Sequence, residues 1–369
     1  MTRPFRLIVL GAGFSCAAGL PLADELWREI NKRAKLLQGR AGNFNRDLES
    51  FIAFRKATSG RQLKRREVNF EEFMSYLDVE HYLGLRGSDT WSDDGNEGTI
   101  VAKTLIGRIL SECESRLGEV PALYREFASR LEPGDTVLTF NYDTLLERAL
   151  EAVRKPYRLF ATRYSKVEGD FGTLVEDTEV AILKLHGSID WFDKSDLEKW
   201  GVNTSSMGLA PVVDGPSFPE EPLAKFHRVR HLHEAYADHR MFMAVPKMLP
   251  PSAAKFAYAP TLTTFMRGLN NAGVLNFGMA VIGYSLPRHD QYALQILHTL
   301  IENYQTQYWE KPAFDRPKTP LVVCDLLSSA KREKAFLKRY KFVDWKRAVL
   351  HRDGFDQAAI QSIFAEQEH

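Results

Sequence analysis

The sequence predicts an α/β protein, a doubly wound parallel sheet carrying an α-helical insertion. Three observations predict it. Short, continuously apolar runs recur along the chain and end in glycine or polar residues, as strands buried on both faces do. Helix-like stretches separate the runs, and that alternation is the mark of a parallel sheet. Between the first run and the second, residues 35–130 read as helical and mixed in charge.

The elements follow in order. Leu7 to Leu10 is apolar throughout, stops at Gly11 and passes straight into a helical pattern in "LGAGFSCAAGLPLADELW". Gly11 and Gly13 allow a tight turn and close approach of a ligand, while Ser15 offers a hydroxyl near the first free helical N–H groups. Such a turn suits an anion, because those N–H groups and the helix dipole favour negative charge. Cys16 stands where a third glycine of GxGxxG would fall, and no Gly-Lys-Ser/Thr follows. Taken alone, the turn therefore stays open between an anion site and a plain strand-to-helix corner.

In the insertion, "NFEEFMSYLDVEHYL" and "TIVAKTLIGRILSECESRL" carry apolar residues at three and four spacing, which predicts helices. The Gly, Ser and Asp-rich stretch "RGSDTWSDDGNEG" between them reads as an exposed loop. Strand pattern returns at "DTVLTF", "VAILKL", "VLNFGMAVIGY" and "TPLVVCDLL".

Composition bounds the rest. The chain has 369 residues, 44% hydrophobic and 26% charged, with a formal net charge of +1, ordinary values for a globular chain of about two domains. Near-neutral charge argues against nucleic-acid binding by bulk electrostatics. The basic run "RQLKRRE" reads as a solvated face, and direct nucleic-acid contact stays open. Cys16, Cys113 and Cys324 are far apart and form no CxxC pair, so neither a disulfide framework nor a thiolate zinc site is suggested. Cys113 lies in helical pattern and reads as packing. No apolar run approaches a membrane span and no signal-peptide pattern opens the chain, so the expected location is the cytoplasm. His227, His231, His233 and His239 invite a metal reading, but only His227 and His231 share a face of a helix. They are expected to sit on a polar surface helix, and no metal is expected.

In doubly wound sheets ligands bind beyond the carboxyl ends of the strands. Here those ends read Gly11-Ala12-Gly13-Phe14-Ser15, Asn141-Tyr142-Asp143, His186-Gly187-Ser188 and Gly283-Tyr284-Ser285, a combination that structural corners do not need. Asn141 and Asp143 also fit an ordinary cap for the helix "TLLERAL", and Asp290 fits a cap for "QYALQILHTLIENY".

The pieces "GAGFSCAAGLP", "TFNYDTLLE", "LKLHGSIDW" and "VIGYSLPRHD", in this order, resemble the sirtuin-like superfamily in its bacterial, NAD-consuming branch. The resemblance implies a Rossmann-like NAD-binding catalytic domain over residues 1–34 and 131–369, with a helical insertion over 35–130. It further implies that Gly11, Ala12, Gly13, Phe14 and Ser15 cradle the pyrophosphate and that Asn141 and His186 are catalytic. Asp143 would face the nicotinamide ribose and carboxamide, while Gly283, Ser285 and Asp325 would complete the cofactor contacts. The protein deacylases of this superfamily carry a four-cysteine zinc module after the His-Gly strand. Here a smaller insertion, residues 192–245, takes its place without a cysteine. The Asp-Phe-Arg of deacylases is missing after "GLP", and Cys324 stands where Asn is expected.

The activity implied is hydrolysis of NAD, as substrate, to nicotinamide and ADP-ribose without a metal. The relatives act as NAD-depleting effectors of antiphage defence, which implies gating by homo-oligomer assembly or by a partner such as a HerA-type ATPase or an Argonaute-like protein. An NAD- or ADP-ribose-binding regulatory module and an NAD-dependent deacylase are the alternatives.

Overall fold

The computed structural model describes residues 5–85, 95–159, 164–167, 170–173, 178–199, 201, 204, 207–212, 225–237, 245–249, 252, 273–286, 290–311 and 316–365. All five expected strands form: β1 (Arg6–Leu10), β2 (Thr136–Thr139), β6 (Val180–Lys184), β10 (Gly278–Ile282) and β11 (Leu321–Cys324). Their side chains are buried almost without interruption, which is why they read as unbroken apolar runs. Two further strands, β3 (Tyr157–Leu159) and β12 (Ala348–His351), extend the sheet at its edges. β12 is only half-buried and exposes Val349, so it lacks the apolar signature.

The seven strands are all parallel, in the order β12-β11-β10-β1-β2-β6-β3. From β1 the chain builds outward through β2 to β3 and β6, then returns to lay β10 on the other side of β1. The switch point of this Rossmann-like sheet therefore lies between β1 and β10.

A second core forms among helices. Trp27 of α2 (Ala23–Ala34) stacks on Phe70 with ring centroids 5.0 Å apart and packs against Phe44 and Phe73. These rings come from α3 (Asn43–Ser59) and α4 (Phe70–Tyr82), and α5 (Glu97–Leu117) closes the cluster with Val101, Leu105 and Ile109. α2 thus packs within this helical core, while α6 (Ala122–Arg130) packs on the sheet through Tyr124 and Phe127. The apolar face of each helix chooses its partner, and no composition shift marks that choice.

Where the smaller insertion was expected, β7 (Trp191–Asp193), β8 (Leu209–Pro211) and β9 (Phe226–Val229) form an antiparallel sheet in the order β7-β9-β8. It has a small core of Phe192, Leu197 of α8 (Lys194–Lys199), Met207, Val229 and Tyr236. The remaining strands, β4 (Tyr164–Val167) and β5 (Asp170–Thr173), pair as an antiparallel hairpin.

Tyr236 lies on α9 (Leu232–Ala237) and crosses α5 at Gly107, where an added Cβ would come within 2.0 Å of the Tyr236 hydroxyl. That hydroxyl donates to the Ile189 carbonyl at 2.8 Å. One close approach thus joins the helical insertion, the small sheet and the segment just after His186.

The histidine expectation is corrected. His227 is on strand β9, His231 precedes α9 and His233 lies in α9, so no shared helix face exists, and His239 lies outside the described residues. Among the described residues no group of three or more possible metal ligands occurs, and no helix is long and apolar enough to cross a membrane. Arg65 of the basic run folds back on α3, bonding Asn45 Oδ1 at 2.5 Å. Cys113 is half-buried against the helical core. Residues 86–94 of the expected exposed loop lie outside the described residues; its end, residues 95–98, is buried rather than exposed, because Asn96 caps α5 through the Thr99 N–H at 2.9 Å and Glu97 starts the helix.

Candidate active site

The sheet register brings the singled-out strand ends level. Leu10 pairs with Ile282 on one side and Thr139 on the other, Thr139 pairs with Lys184, and Ile282 pairs with Cys324. Gly11, Phe140, Leu185, Gly283 and Asp325 therefore begin five adjacent loops, in a row about 19 Å long at the usual strand spacing.

The glycine turn is held by main-chain contact. Gly11 N–H donates to Ile282 O and Gly13 N–H to Gly283 O, both at 2.9 Å, and Phe14 N–H donates to Gly11 O. A Cβ on Gly13 would lie 2.6 Å from Gly283 Cα, and Gly283 has φ +62° with Gly13 C only 2.3 Å from its own ideal Cβ. Backbone cannot yield as a side chain can, so the packing of the β1 and β10 loops by itself requires glycine here. After the turn the chain makes only the five-residue helix α1 (Ala12–Cys16).

Phe14 points into the core. Its ring packs on Tyr124, Phe127 and Phe355 with centroids 4.9 to 5.4 Å apart, so only its main chain faces the turn. Ser15 is buried and links two expected site residues. Its hydroxyl lies 3.3 Å from Asn141 Nδ2 and bonds the Asp143 carboxylate.

Asn141 fastens the end of β2 to the glycine turn, donating from Nδ2 to Gly11 O at 2.9 Å. Asp143 accepts from the Leu145 N–H at 3.2 Å at the start of α7 (Leu145–Ala152) and also meets Ser15, so one carboxylate touches both the helix start and the glycine turn. Burial raises the Asp143 carboxyl, and Lys184 opposes the shift. Lys184, fully buried at the end of β6, donates to Asp143 O at 2.6 Å and to Glu147 Oε1 at 2.8 Å.

His186 meets the Asn141 loop through rings. Phe140 and Tyr142, which flank Asn141, lie 5.0 and 6.0 Å from the imidazole between centroids. Tyr142 is anchored by donating to Leu249 O at 2.5 Å, and Phe140 stacks on Tyr284 at 4.4 Å. The imidazole Nε2 bonds the Tyr292 hydroxyl and lies 3.6 Å from Asp290 Oδ2.

The expectation for Asp290 is therefore corrected. It stands at the N-cap position of the helix Gln291–Thr306, but its side chain makes no cap hydrogen bond. The carboxylate instead accepts from Tyr284 Oη at 3.1 Å and faces His186. Spacing alone could not reveal this, because a capping Asp and a site Asp look alike before a helix.

The other expected contacts differ in setting. Ser285 is exposed at the loop after β10, and Asp325 is half-buried at the end of β11, where burial raises its carboxyl. Burial also pushes the Cys324 thiol up, which suits an inert core residue.

Sequence reading missed three supporting residues. Asp190, just after the His186 segment, pairs with Arg228 of β9 at 2.8 Å, and Arg228 reaches Tyr157 Oη at 2.7 Å. Burial works against the ionised Asp190, yet Arg228 holds it below the usual carboxylate range. Glu114 of α5 accepts from Thr144 N–H at 2.7 Å and Thr144 Oγ1 at 2.5 Å, so the insertion grips the loop that carries Asn141. Burial, helped by the Asp143 charge, raises the Glu114 carboxyl from 4.5 to about 7.

Between those two pH values the folded chain keeps a proton that the unfolded chain releases. The contribution of neutral Glu114 is full below the lower value and is lost as pH rises through the higher. At about 1.4 kcal/mol per pH unit the loss is on the order of 3 kcal/mol. In paired urea titrations, Glu114→Gln is expected to gain stability over the parent across this interval; parallel pH curves for the two proteins would refute the assignment.

No curated protein matches the chain. Residues 135–209 match the family model of the SIR2-like domain, a stretch that contains Asn141, Asp143 and His186. SIR2-like domains bind NAD, and the match is consistent with a sirtuin-like domain; the matched stretch supplies β2 and β6 of the seven-stranded parallel sheet.

Proposed function

We propose that the protein is an NAD glycohydrolase that releases nicotinamide and ADP-ribose. The observation that carries this reading is the meeting of two strand ends, where Phe140 and Tyr142 on either side of Asn141 pack against His186. The row of loops from Asp325 to His186 suits an extended dinucleotide laid across the switch point.

In the reaction the bond from C1′ of the ribose to the pyridinium nitrogen breaks and its electron pair leaves with nicotinamide. Water oxygen bonds to C1′ and gives up a proton. The carbon passes through an oxocarbenium-like state, and the protein's part is to hold reactants and place charge. His186 accepts the proton from water or from a ribose hydroxyl. Asn141 does no proton chemistry; its amide positions the glycine turn and the groups over it. The leaving group is neutral, so the chemistry does not call for a metal.

The biological role we propose is that of an NAD-depleting effector in bacterial antiphage defence, as the motif resemblance suggests, switched on by assembly or by a partner. Asn141 and His186 are 7% and 6% exposed, which fits an enzyme that opens before substrate enters. The test is nicotinamide release from NAD by the purified chain across a range of protein concentrations. Turnover that rises per molecule with concentration is expected. NAD binding without turnover at any concentration, even with candidate partners added, would instead favour a nucleotide-sensing module.

A further inference from the structure

We propose that Asp290 is a positioning residue for His186, holding the imidazole in one orientation and supplying the counter-charge when the ring becomes an imidazolium. The chemistry rests on the hydrolase reading above; the contact does not.

Four observations converge on the carboxylate. It lies 3.6 Å from His186 Nε2. Both side chains are more than nine-tenths buried. Two tyrosines direct their hydroxyls at it, Tyr284 at 3.1 Å and Tyr292, which also bonds the imidazole. Its own helix receives no side-chain cap from it, so the usual use of Asp at that position is given up.

The physical need is plain. A buried histidine that accepts a proton becomes a buried cation, which is costly unless an opposite charge is close. Among the described residues, the groups near it include Tyr142 from the loop after β2, Tyr284 from the loop after β10, Asp290 and Tyr292 at the start of the following helix, and Glu71 of α4, whose charge acts on Tyr142 and Tyr284. Burial first, and then the Asp290 charge, raises the Tyr292 and Tyr142 hydroxyls, so both tyrosines stay protonated. The carboxylate can only accept hydrogen bonds, and the tyrosine hydroxyls aim it. During turnover the proton passes from water to His186 and then to solvent.

The test uses the full chain with Asp290→Asn, which keeps shape and acceptor but removes the charge, and Asp290→Glu, which restores the charge. Two readouts are taken: kcat and KM for nicotinamide release across pH, and the NMR titration of the His186 imidazole, assigned with His186→Gln. Asp290→Asn is expected to lower kcat by about 10²-fold, the scale of a misplaced catalytic group, with KM little changed. Its His186 should lose the proton at lower pH than in the parent, because the counter-ion is gone, and Asp290→Glu should recover part of both effects. An unchanged imidazole titration in Asp290→Asn, or equal losses in both variants, would overturn the proposal. If the parent releases no nicotinamide at any concentration, even with candidate partners added, the hydrolase reading fails while the imidazole titration still decides the contact.

Discussion

His186→Ala is expected to lower kcat for nicotinamide release by about 10²- to 10⁴-fold, the usual contribution of a positioned general base. The imidazole sits among Phe140, Tyr142 and Tyr292 and bonds the last through its ring nitrogen Nε2, so NAD affinity should change little. Asn141→Ala is expected to behave differently. Its amide ties β2 to Gly11 O, and losing that tie loosens the turn expected to hold the pyrophosphate. A rise in KM should accompany the fall in kcat. Steady-state kinetics with calorimetric NAD titration separate the two patterns. Parental turnover in His186→Ala would sink its role as base, and an unchanged KM in Asn141→Ala would sink the positioning of the turn.

Lys184→Ala should cost about 3 to 5 kcal/mol of stability, the usual loss when one partner of a buried ion pair is removed. Lys184 and Glu147 are 0% and 1% exposed with 2.8 Å between charged atoms, and the ammonium also holds the Asp143 carbonyl. Removing the lysine strands a carboxylate with no water to solvate it. The double variant Lys184→Met with Glu147→Leu replaces the pair by apolar groups of similar volume and should recover most of the loss. Urea unfolding followed by circular dichroism checks both. A double variant no more stable than Lys184→Ala would show that the Asp143 carbonyl, not the buried charge, sets the cost.

The strands were legible because a strand buried on both faces has to be apolar at every position, as in "LIVL" and "VAILKL". β3 and β12 were not, since an edge strand can expose side chains and carry no such run. The glycines were legible too, but for a reason the sequence left open. Gly13 and Gly283 are required by the contact of two loops 270 residues apart, whether or not a phosphate also rests there.

By itself, then, the sequence determined the parallel sheet, the helical insertion and the row of Gly, Asn and His at neighbouring strand ends. Each follows from local rules of burial, backbone freedom and strand-to-loop order. Only the tertiary structure decided which partners those residues meet. It turned Asp290 from an expected helix cap toward His186, set Glu114 on the loop of Asn141, placed α2 in the helical core and put His227 on a strand. These outcomes depend on which apolar faces pack together across the whole chain. A residue's type and its neighbours in sequence do not encode the distant carboxylate or ring that folding brings to within a few ångströms of it.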